Sequence, residues 1–128
     1  MPNLTALSLL DASDGLRAGD FSSVELTHAC LDRIQALDAA LCSFLFVAPE
    51  AALEQARLAD QVLRRARREA APAVSRLTGI PVAIKDVLCV QGMPATAGSR
   101  ILEGFLPPYT ATSVQRLLDA GVVILGKT

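Results

Sequence analysis

A lysine and an aspartate stand next to each other at the end of a short apolar segment, and this pair is the first candidate for chemistry. The stretch Leu77 to Asp86 reads LTGIPVAIKD. Its apolar and β-branched residues, preceded by the turn-forming Thr78-Gly79, predict a short buried strand. Because ligands of open α/β sheets bind in the crevice beyond the carboxyl ends of the strands, Lys85 lies where such sheets carry their sites.

The chemistry open to Lys85 is that of a general base. A lysine amine that accepts protons at neutral pH must have its pKa lowered from about 10.4 by about 3 units, or roughly 4 kcal/mol, which requires a deep pocket. By its position alone, Lys85 is more commonly explained as a solvated charge that blunts the edge of a sheet. Both interpretations remain open from the residues alone.

The segment Gly121 to Thr128, GVVILGKT, spells the phosphate-loop expression G-x-x-x-x-G-K-T. A phosphate loop follows a strand and precedes a helix, so that its backbone amides can face the phosphate. Here a helix is predicted before Gly121, and the four intervening residues favour a strand. We therefore predict no nucleotide site in this segment.

His28 and Ser99 carry side chains that often act in catalysis. His28 is the only histidine in the chain and has no second ligand or nucleophile at helical spacing, so we expect it on the surface of a helix. A Ser-His-Asp mechanism confined to this segment is thereby excluded. Ser99 lacks a Gly-x-Ser-x-Gly elbow and is expected to start a short helix that runs through Leu102.

The apolar patterns around these candidates alternate between helices and strands. Helices are predicted from Leu7 to Arg17, after Ser22 to about Leu37, from Pro49 to about Ala70 and from Thr112 to Gly121. Strands are predicted from Leu41 to Val47, within Leu77 to Asp86 and from Val122 to Leu125. Ser22-Ser23-Val24-Glu25 and Thr112-x-x-Gln115 match capping boxes. This order of elements indicates an α/β layered sheet.

We expect one domain over residues 1–128. It comprises a helical part at 1–40, a strand and a long helix at 41–70, a connector at 71–76 and a strand-loop-helix-strand core at 77–128. The predicted inward-facing residues of the second and third helices are Leu26, Cys30, Ile34, Leu37, Leu53, Ala56, Leu63, Ala66 and Ala70. Arg64, Arg65, Arg67 and Arg68 are predicted to form a solvated helix end rather than a phosphate or tRNA contact.

The composition argues against a nucleic-acid-binding, membrane-spanning or secreted protein. Apolar residues make up 52% of the 128 residues and the mean hydropathy is +0.40, which suits a piece of a larger core. A net charge of −1 gives no field that would attract nucleic acid. No apolar stretch reaches the roughly 18 residues that cross a bilayer, and the N-terminus lacks a secretory signal.

Cys30, Cys42 and Cys89 are widely spaced and form no paired metal-ligand or redox motif. We expect reduced thiols that pack in the interior of a cytoplasmic protein, with no metal and no cofactor.

Two long segments resemble the amidase signature family. They are LTGIPVAIKD and TAGSRILEGFLPPYTATSVQRLLDAGVVILGKT, of which GIPVAIKD and the closing AGVVILGKT are shared across that family. The run ILEGFLPPY at 101–109, followed by Ala111-Thr112, is similar to one branch, the A subunits of glutamyl/aspartyl-tRNA amidotransferases. The resemblance implies the N-terminal part of the amidase-signature fold, a mixed β-sheet covered by helices.

The same resemblance implies a mechanism. Members of the family use a serine nucleophile, a second serine held by a cis peptide bond and a buried lysine as general base, and Lys85 occupies the lysine position of the motif. In the amidotransferase branch the amide is that of glutamine. The ammonia passes to a partner, in an assembly with subunits B and C, which uses ATP to amidate glutamate or aspartate on tRNA, and tRNA is bound mainly through the partner.

The family's two serines and their glycine- and serine-rich segment have no counterpart in residues 1–128. We therefore expect this polypeptide alone to be inactive and to expose unpaired strand edges and apolar surface. Two alternatives remain open. The chain could belong to a general amidase that acts on small amides without tRNA, or it could be a non-catalytic truncated module.

Overall fold

The computed structural model describes residues 3–69 and 74–128. Its α-helices are α1 (Leu9–Ala18), α2 (Ser23–Leu41), α3 (Pro49–Glu69) and α4 (Thr112–Asp119). Its strands are β1 (Phe46–Val47), β2 (Pro81–Ile84) and β3 (Val123–Lys127), and short 3₁₀ helices lie at Leu4–Ala6 and Arg100–Leu102. The connector predicted at 71–76 falls partly on Ala71, Pro72 and Ala73, which lie outside the described residues.

The strands form a three-stranded mixed sheet in the order β1-β3-β2. β2 runs parallel to β3, with Ile84 opposite Lys127, whereas β1 runs antiparallel to β3, with Phe46 opposite Lys127. Pro81 opens the edge strand β2, where a missing N–H costs no ladder hydrogen bond. The predicted α/β fold with a mixed sheet is confirmed.

The central strand β3 is buried along its whole length because helices and loops cover both of its faces. Val123 and Leu125 pack with Ala52 and Ala56 of α3. Ile124, one residue out of phase, belongs to the cluster that contains Val114 of α4, as expected from the two-residue period of a strand. The sheet therefore lies between α2 and α3 on one face and α4 with its preceding loop on the other.

A buried carboxylate links α3 to the start of α2. Asp60 accepts hydrogen bonds from the amides of Ser23 (2.7 Å) and Val24 (3.2 Å). The Ser23 hydroxyl in turn donates to the carbonyl of Gly79 at 2.8 Å, in the turn that precedes β2. These contacts hold two helices and the entry to β2 in one arrangement.

The strand predicted from Leu41 to Val47 is largely wrong. α2 continues beyond Leu37 to Leu41, and Cys42 ends it in the left-handed conformation, with φ of 50°. The carboxylate of Asp38 accepts hydrogen bonds from the amides of Ser43 (2.8 Å) and Phe44 (3.2 Å). These bonds provide acceptors for the first two amides after Cys42. Only Phe46–Val47 remains as strand.

Two inward-facing predictions in this part of the chain are also wrong. Leu37 lies one turn before the end of α2, outside the hydrophobic core clusters of the described residues, and is 42% exposed. Cys42 is exposed as well, whereas Cys30 and Cys89 are partly buried. On α3, Ala56 and Leu63 are buried as predicted, and Leu53 and Ala66 are partly buried. Ala70 lies outside the described residues.

The two predicted capping boxes have opposite outcomes. At α2 the Glu25 amide donates to the Ser22 hydroxyl (3.1 Å) and the Ser22 amide donates to the Glu25 carboxylate (2.7 Å), which confirms the first. At α4 the N-cap is Ala111, and no side chain caps the helix. Gln115 instead donates to Asp119 at 2.9 Å, one turn further on, so the second box is wrong.

Candidate functional site

Lys85 directly follows β2 at the carboxyl end of the parallel strand pair, as the sequence predicts. Its side chain is exposed, whereas the flanking Ile84 and Asp86 are only 4% and 3% exposed. No carboxylate within residues 3–69 and 74–128 forms an ion pair with Lys85. The described residues thus present a lysine amine at the expected edge of the sheet but do not bury it.

The backbone on both sides of Lys85 is held by the end of β3. The Thr128 amide donates to the carbonyl of Ile84 at 3.0 Å, and the Asp86 amide donates to the carbonyl of Thr128 at 2.7 Å. The carbonyl of Lys85 accepts from the amide of Leu88 at 2.9 Å, closing a turn. The position of the Lys85 backbone is therefore set by hydrogen bonds before, at and after that residue.

A second lysine, which the sequence did not single out, lies beneath this edge. Lys127, the last residue of β3, is completely buried. Its amine donates to the carbonyls of Asp86 (3.2 Å) and Pro94 (2.9 Å) and lies 3.8 Å from Oδ1 of the Asp86 carboxylate. Every acceptor around this ammonium thus comes from Asp86 or Pro94.

Asp86 is paired on its other side with Thr96. The Thr96 hydroxyl donates to Oδ2 of Asp86 at 2.6 Å, and the Thr96 amide donates to the same oxygen at 3.1 Å. Burial acts to raise the pKa of Asp86, but the hydrogen bonds from Thr96 and the charge of Lys127 hold that pKa below its ordinary value. Asp86 is therefore ionised in this environment at neutral pH.

At Lys127, in contrast to Asp86, burial outweighs the opposing effects on the pKa. Burial lowers the pKa of its amine, and the Asp86 carboxylate opposes that shift. With two carbonyl oxygens and a carboxylate around it, the amine is surrounded by hydrogen-bond acceptors, which suits the charged form with three donors. Lys127 and Asp86 thus form a buried, mutually neutralising pair beside the exposed amine of Lys85.

Sequence reasoning missed Lys127 because it read this residue only as part of the apparent phosphate loop. The structure confirms that Gly121 to Thr128 is not such a loop, because Gly126 and Lys127 lie within β3. The predicted strand, Val122 to Leu125, stops two residues before Lys127, so the sequence did not place this lysine in the sheet. In the structure β3 continues through Lys127, whose buried amine needs an acceptor, and Asp86, which follows the neighbouring strand closely, supplies one.

The remaining candidates lie where the sequence placed them. His28 is exposed on α2, and Ser99 immediately precedes the 3₁₀ helix Arg100–Leu102. In the arginine cluster, Arg65 forms an exposed ion pair with Glu69 at 2.9 Å and Arg67 donates to the carbonyl of Leu16 at 2.9 Å. These contacts agree with a helix end that is solvated or engaged within the chain.

The described part of the chain offers neither a metal centre nor a membrane-spanning helix. Across 3–69 and 74–128, no group of three or more histidine, cysteine, aspartate or glutamate side chains is arranged to hold a metal ion. None of the helices found there combines the length and the apolar character needed to cross a bilayer.

The comparisons with known proteins agree on one family. The sequence profile of the family described as Amidase matches residues 25–128. The A subunit of glutamyl-tRNA(Gln) amidotransferase from Chloroflexus aggregans is 51% identical over 127 residues, which is 99% of this chain and 25% of that protein. The corresponding protein of Salinispora arenicola is 48% identical over 128 residues, again 25% of its length.

A solved structure gives the same result. The native peptide amidase of Stenotrophomonas maltophilia superimposes with a TM-score of 0.82 at 38% identity, over 96% of this chain and 24% of that one. The chain therefore spans about a quarter of the length of the relatives it matches.

Proposed function

This chain belongs to the amidase family, and we propose that it is the N-terminal portion of the A subunit of a glutamine-hydrolysing tRNA amidotransferase. The observation that carries the proposal is the similarity to such proteins over nearly the whole chain. Within that match, the run Ile101 to Tyr109 is the part that resembles this branch of the family in particular.

In this proposal Lys85 is the general base. It occupies the lysine position of the shared GIPVAIKD motif, and it lies at the carboxyl end of β2, where sheets of this class place their sites. A lysine base accepts the proton of the nucleophilic serine through the bridging serine, and backbone amides hold the oxyanion that forms. The residues that bury such a base would come from the part of the complete enzyme that this match does not include.

The complete enzyme would hydrolyse the side-chain amide of glutamine to glutamate and ammonia. A partner subunit would then use ATP and that ammonia to amidate glutamate on tRNA(Gln) or aspartate on tRNA(Asn). We assign tRNA binding mainly to the partner, as the resemblance to that branch implies, and the net charge of −1 of this segment agrees with the assignment. The assembly would contain subunits B and C, would reside in the cytoplasm and would need no cofactor in this segment.

One structural likeness favours a second candidate. The peptide amidase match makes a general amidase, acting on small amides without tRNA, the alternative. Purification of the native protein from its source cells distinguishes the two. Copurification with two further subunits supports the amidotransferase, whereas an active protein that purifies alone supports the general amidase.

The decisive experiment uses a complete enzyme, which we call the chimaera. Residues 1–128 of this chain replace the matching N-terminal quarter of the A subunit from Chloroflexus aggregans, and the product is assembled with the partner subunits of that organism. We expect the chimaera to hydrolyse glutamine and Lys85→Met to lower kcat by about 10²- to 10⁴-fold, the usual contribution of a general base.

Arg116→Met is the matched control, because it removes an exposed cation of α4 that the proposal gives no role. Its kcat should equal that of the unsubstituted chimaera. A folded chimaera without activity, beside an active Chloroflexus enzyme, would contradict the proposed function. Full activity in Lys85→Met would contradict the assignment of the base.

We also propose that the 128-residue polypeptide alone has no amidase activity, because a lysine base has no function without a nucleophile. Purified chain is incubated with glutamine and with a simple amide, and ammonia is measured. Release of ammonia by this chain, abolished in its Lys85→Ala form, is the result that would contradict the proposal.

A further inference from the structure

We propose that Lys127 is a positioning residue for Lys85, acting through a clamp formed by Lys127, Asp86 and Thr96. The inference rests on the proposed function, in which Lys85 is the base. Its grounds are geometric, namely a completely buried amine whose hydrogen bonds all end on the backbone and loop that follow Lys85.

The clamp closes the loop that starts at the candidate base. The amine of Lys127 bonds to the carbonyls of Asp86 and Pro94, which are 8 positions apart in the sequence, and so fixes both ends of the intervening turn. Thr96, at the far end of the loop, donates two hydrogen bonds to the carboxylate of Asp86, the residue next to Lys85. These bonds hold the two ends of the loop together. The loop cannot shift without breaking these bonds.

The backbone of β3 adds to this restraint. Thr128, adjacent to Lys127, is hydrogen-bonded to Ile84 and to Asp86, the two neighbours of Lys85. The same strand end therefore holds the Lys85 backbone through main-chain bonds, and it holds the following loop through the Lys127 side chain. Misplacement of a reacting group by about 1 Å can cost about 10²-fold in rate, so such a restraint bears directly on kcat.

Stability alone is a weak explanation for a buried ion pair. The effective cost of burying each ion is several kcal/mol, and well-packed apolar replacements of whole pairs are often neutral or stabilising. The hydrogen bonds of Lys127 and Asp86 are directional, and together they select one conformation of residues 85–96. This selection explains the buried pair better than stability does. Lys127 is not itself a base that reaches the substrate, because its amine is enclosed and faces acceptors of the chain.

The test compares Lys127→Met and Lys85→Met in the chimaera, since these are the two lysines of this chain and each variant removes one positive charge. For Lys127→Met we expect kcat to fall about 10- to 100-fold with KM changed less than about twofold. Hydrogen exchange at the amides of Asp86 and Thr96 should accelerate, while the amides of β3 at Val123 and Ile124 stay protected. Lys85→Met should lose activity and keep the exchange pattern of the unsubstituted protein.

The exchange pattern separates positioning from a general loss of stability. Faster exchange throughout β3 as well as at residues 86–96 would mean that Lys127 only stabilises the fold, and would overturn the proposal. Unchanged kcat with unchanged exchange would overturn it too. If Lys85→Met keeps its activity, the assignment of Lys85 as the base fails, and so does the inference that rests on it, although the chimaera is still a glutamine-hydrolysing enzyme. An active Lys85-dependent chimaera in which Lys127→Met has no effect refutes the inference alone.

Thr96→Val decides the matter if Lys127→Met does not fold. Valine has nearly the shape of threonine but lacks the hydroxyl that donates to Asp86 at 2.6 Å. We expect a severalfold lower kcat at constant KM and faster exchange confined to residues 86–96. Wild-type kcat in a folded Thr96→Val chimaera would refute the clamp.

Discussion

Lys127 is completely buried and Asp86 is 3% exposed, so two opposite charges lie within the interior at the sheet edge that carries Lys85. Their direct separation of 3.8 Å is long for a hydrogen-bonded pair, and the stronger contacts run from Lys127 to carbonyls and from Thr96 to Asp86. Each ion is thus stabilised mostly by polar groups of the loop 86–96. Loop conformation and ionisation are therefore coupled at this site.

The lowered pKa of Asp86 predicts how stability depends on pH. A carboxyl group whose pKa is lower in the folded than in the unfolded state stabilises the fold above its unfolded pKa of about 3.9, and this contribution is lost as the pH falls through the folded pKa. Thr96→Val removes a bond to the charged form and should cost about 1.5–3 kcal/mol at pH near 7.

The cost of Thr96→Val should shrink as the pH falls below about 4, because the wild-type advantage belongs to the ionised carboxyl. Denaturant unfolding at a series of pH values measures it. Thr110→Val is the control, since the Thr110 hydroxyl bonds to the amide of Gln91 and to no carboxylate. A difference from wild type that stays constant across the acid range for both variants would contradict the prediction.

Gly126 offers a second test at single-residue scale. A Cβ at this position would lie 2.0 Å from the carbonyl oxygen of Phe46 and 2.9 Å from Cα of Val47, both in the backbone of β1. Gly126→Ala must therefore push β1 away from β3, and we expect it to destabilise the protein by at least about 1–3 kcal/mol.

Gly98→Ala is the comparison for Gly126→Ala. Gly98 has open space around it and a φ of 72°, so the substitution should cost about 1–2 kcal/mol of backbone strain and leave β1 in place. Hydrogen exchange at Leu45 and Ala48, whose amides donate to carbonyls of β3, reports whether β1 has separated. Retained protection of these amides in Gly126→Ala would show the prediction to be wrong.

These residues also show what the sequence could predict at this scale. The position of Lys85 at the carboxyl end of β2 was predictable because this lysine ends an apolar run that turn residues precede, and that pattern is local. The burial of Lys127 depends on Asp86 and Pro94, which are 41 and 33 positions away in the sequence. A pattern of neighbouring residues cannot reveal contacts over such a separation. The close approach at Gly126 likewise depends on β1, which was predicted at the wrong length.

At the scale of elements, helix starts are predictable when their partners are local. Ser22 and Glu25 lie three positions apart, and their capping box is present. The C-terminal end of α2 was predicted at about Leu37, whereas the helix continues to Leu41. The prediction was wrong because the stretch after Leu37 is apolar enough to suit a strand. Only Asp38, which accepts from the two amides after Cys42, shows where the chain turns away. The second capping box failed because Gln115 bonds forward to Asp119.

The start of α2 supplies the prediction at this scale. Asp60→Ala removes acceptors from two buried or partly buried amides, those of Ser23 and Val24. We expect a loss of about 2–3 kcal/mol, since an orphaned buried donor adds to the loss of a cap. Glu25→Ala removes only exposed contacts with Ser22 and should cost about 0.5–1 kcal/mol. Equal losses in denaturant unfolding would mean that Asp60 contributes no more than an ordinary surface cap.

At the scale of the whole chain, the α/β class followed from the order of predicted elements, whereas the parallel pairing of β2 with β3 is known only from the structure. The antiparallel position of β1 did not follow from that order either, because a two-residue strand carries no periodic signal. The chain also exposes large apolar side chains, among them Ile101 (94%), Leu41 (66%), Leu45 (64%), Leu106 (60%) and Tyr109 (58%). Exposed apolar side chains in such numbers mark a surface that favours contacts with other apolar groups.

This exposed surface predicts self-association of the isolated 128-residue chain. Apolar groups left in water favour contact between copies, so sedimentation velocity should detect species larger than 13.5 kDa, increasing with concentration. Ile101→Lys with Leu106→Lys should shift the distribution towards monomer, because two charges then border the segment 101–109. Gln35→Lys with Gln61→Lys, at exposed positions of α2 and α3, adds the same two positive charges without removing apolar surface and should change association less. A chain that stays monomeric at all concentrations, or that responds equally to both pairs of substitutions, would show that this apolar segment does not drive association.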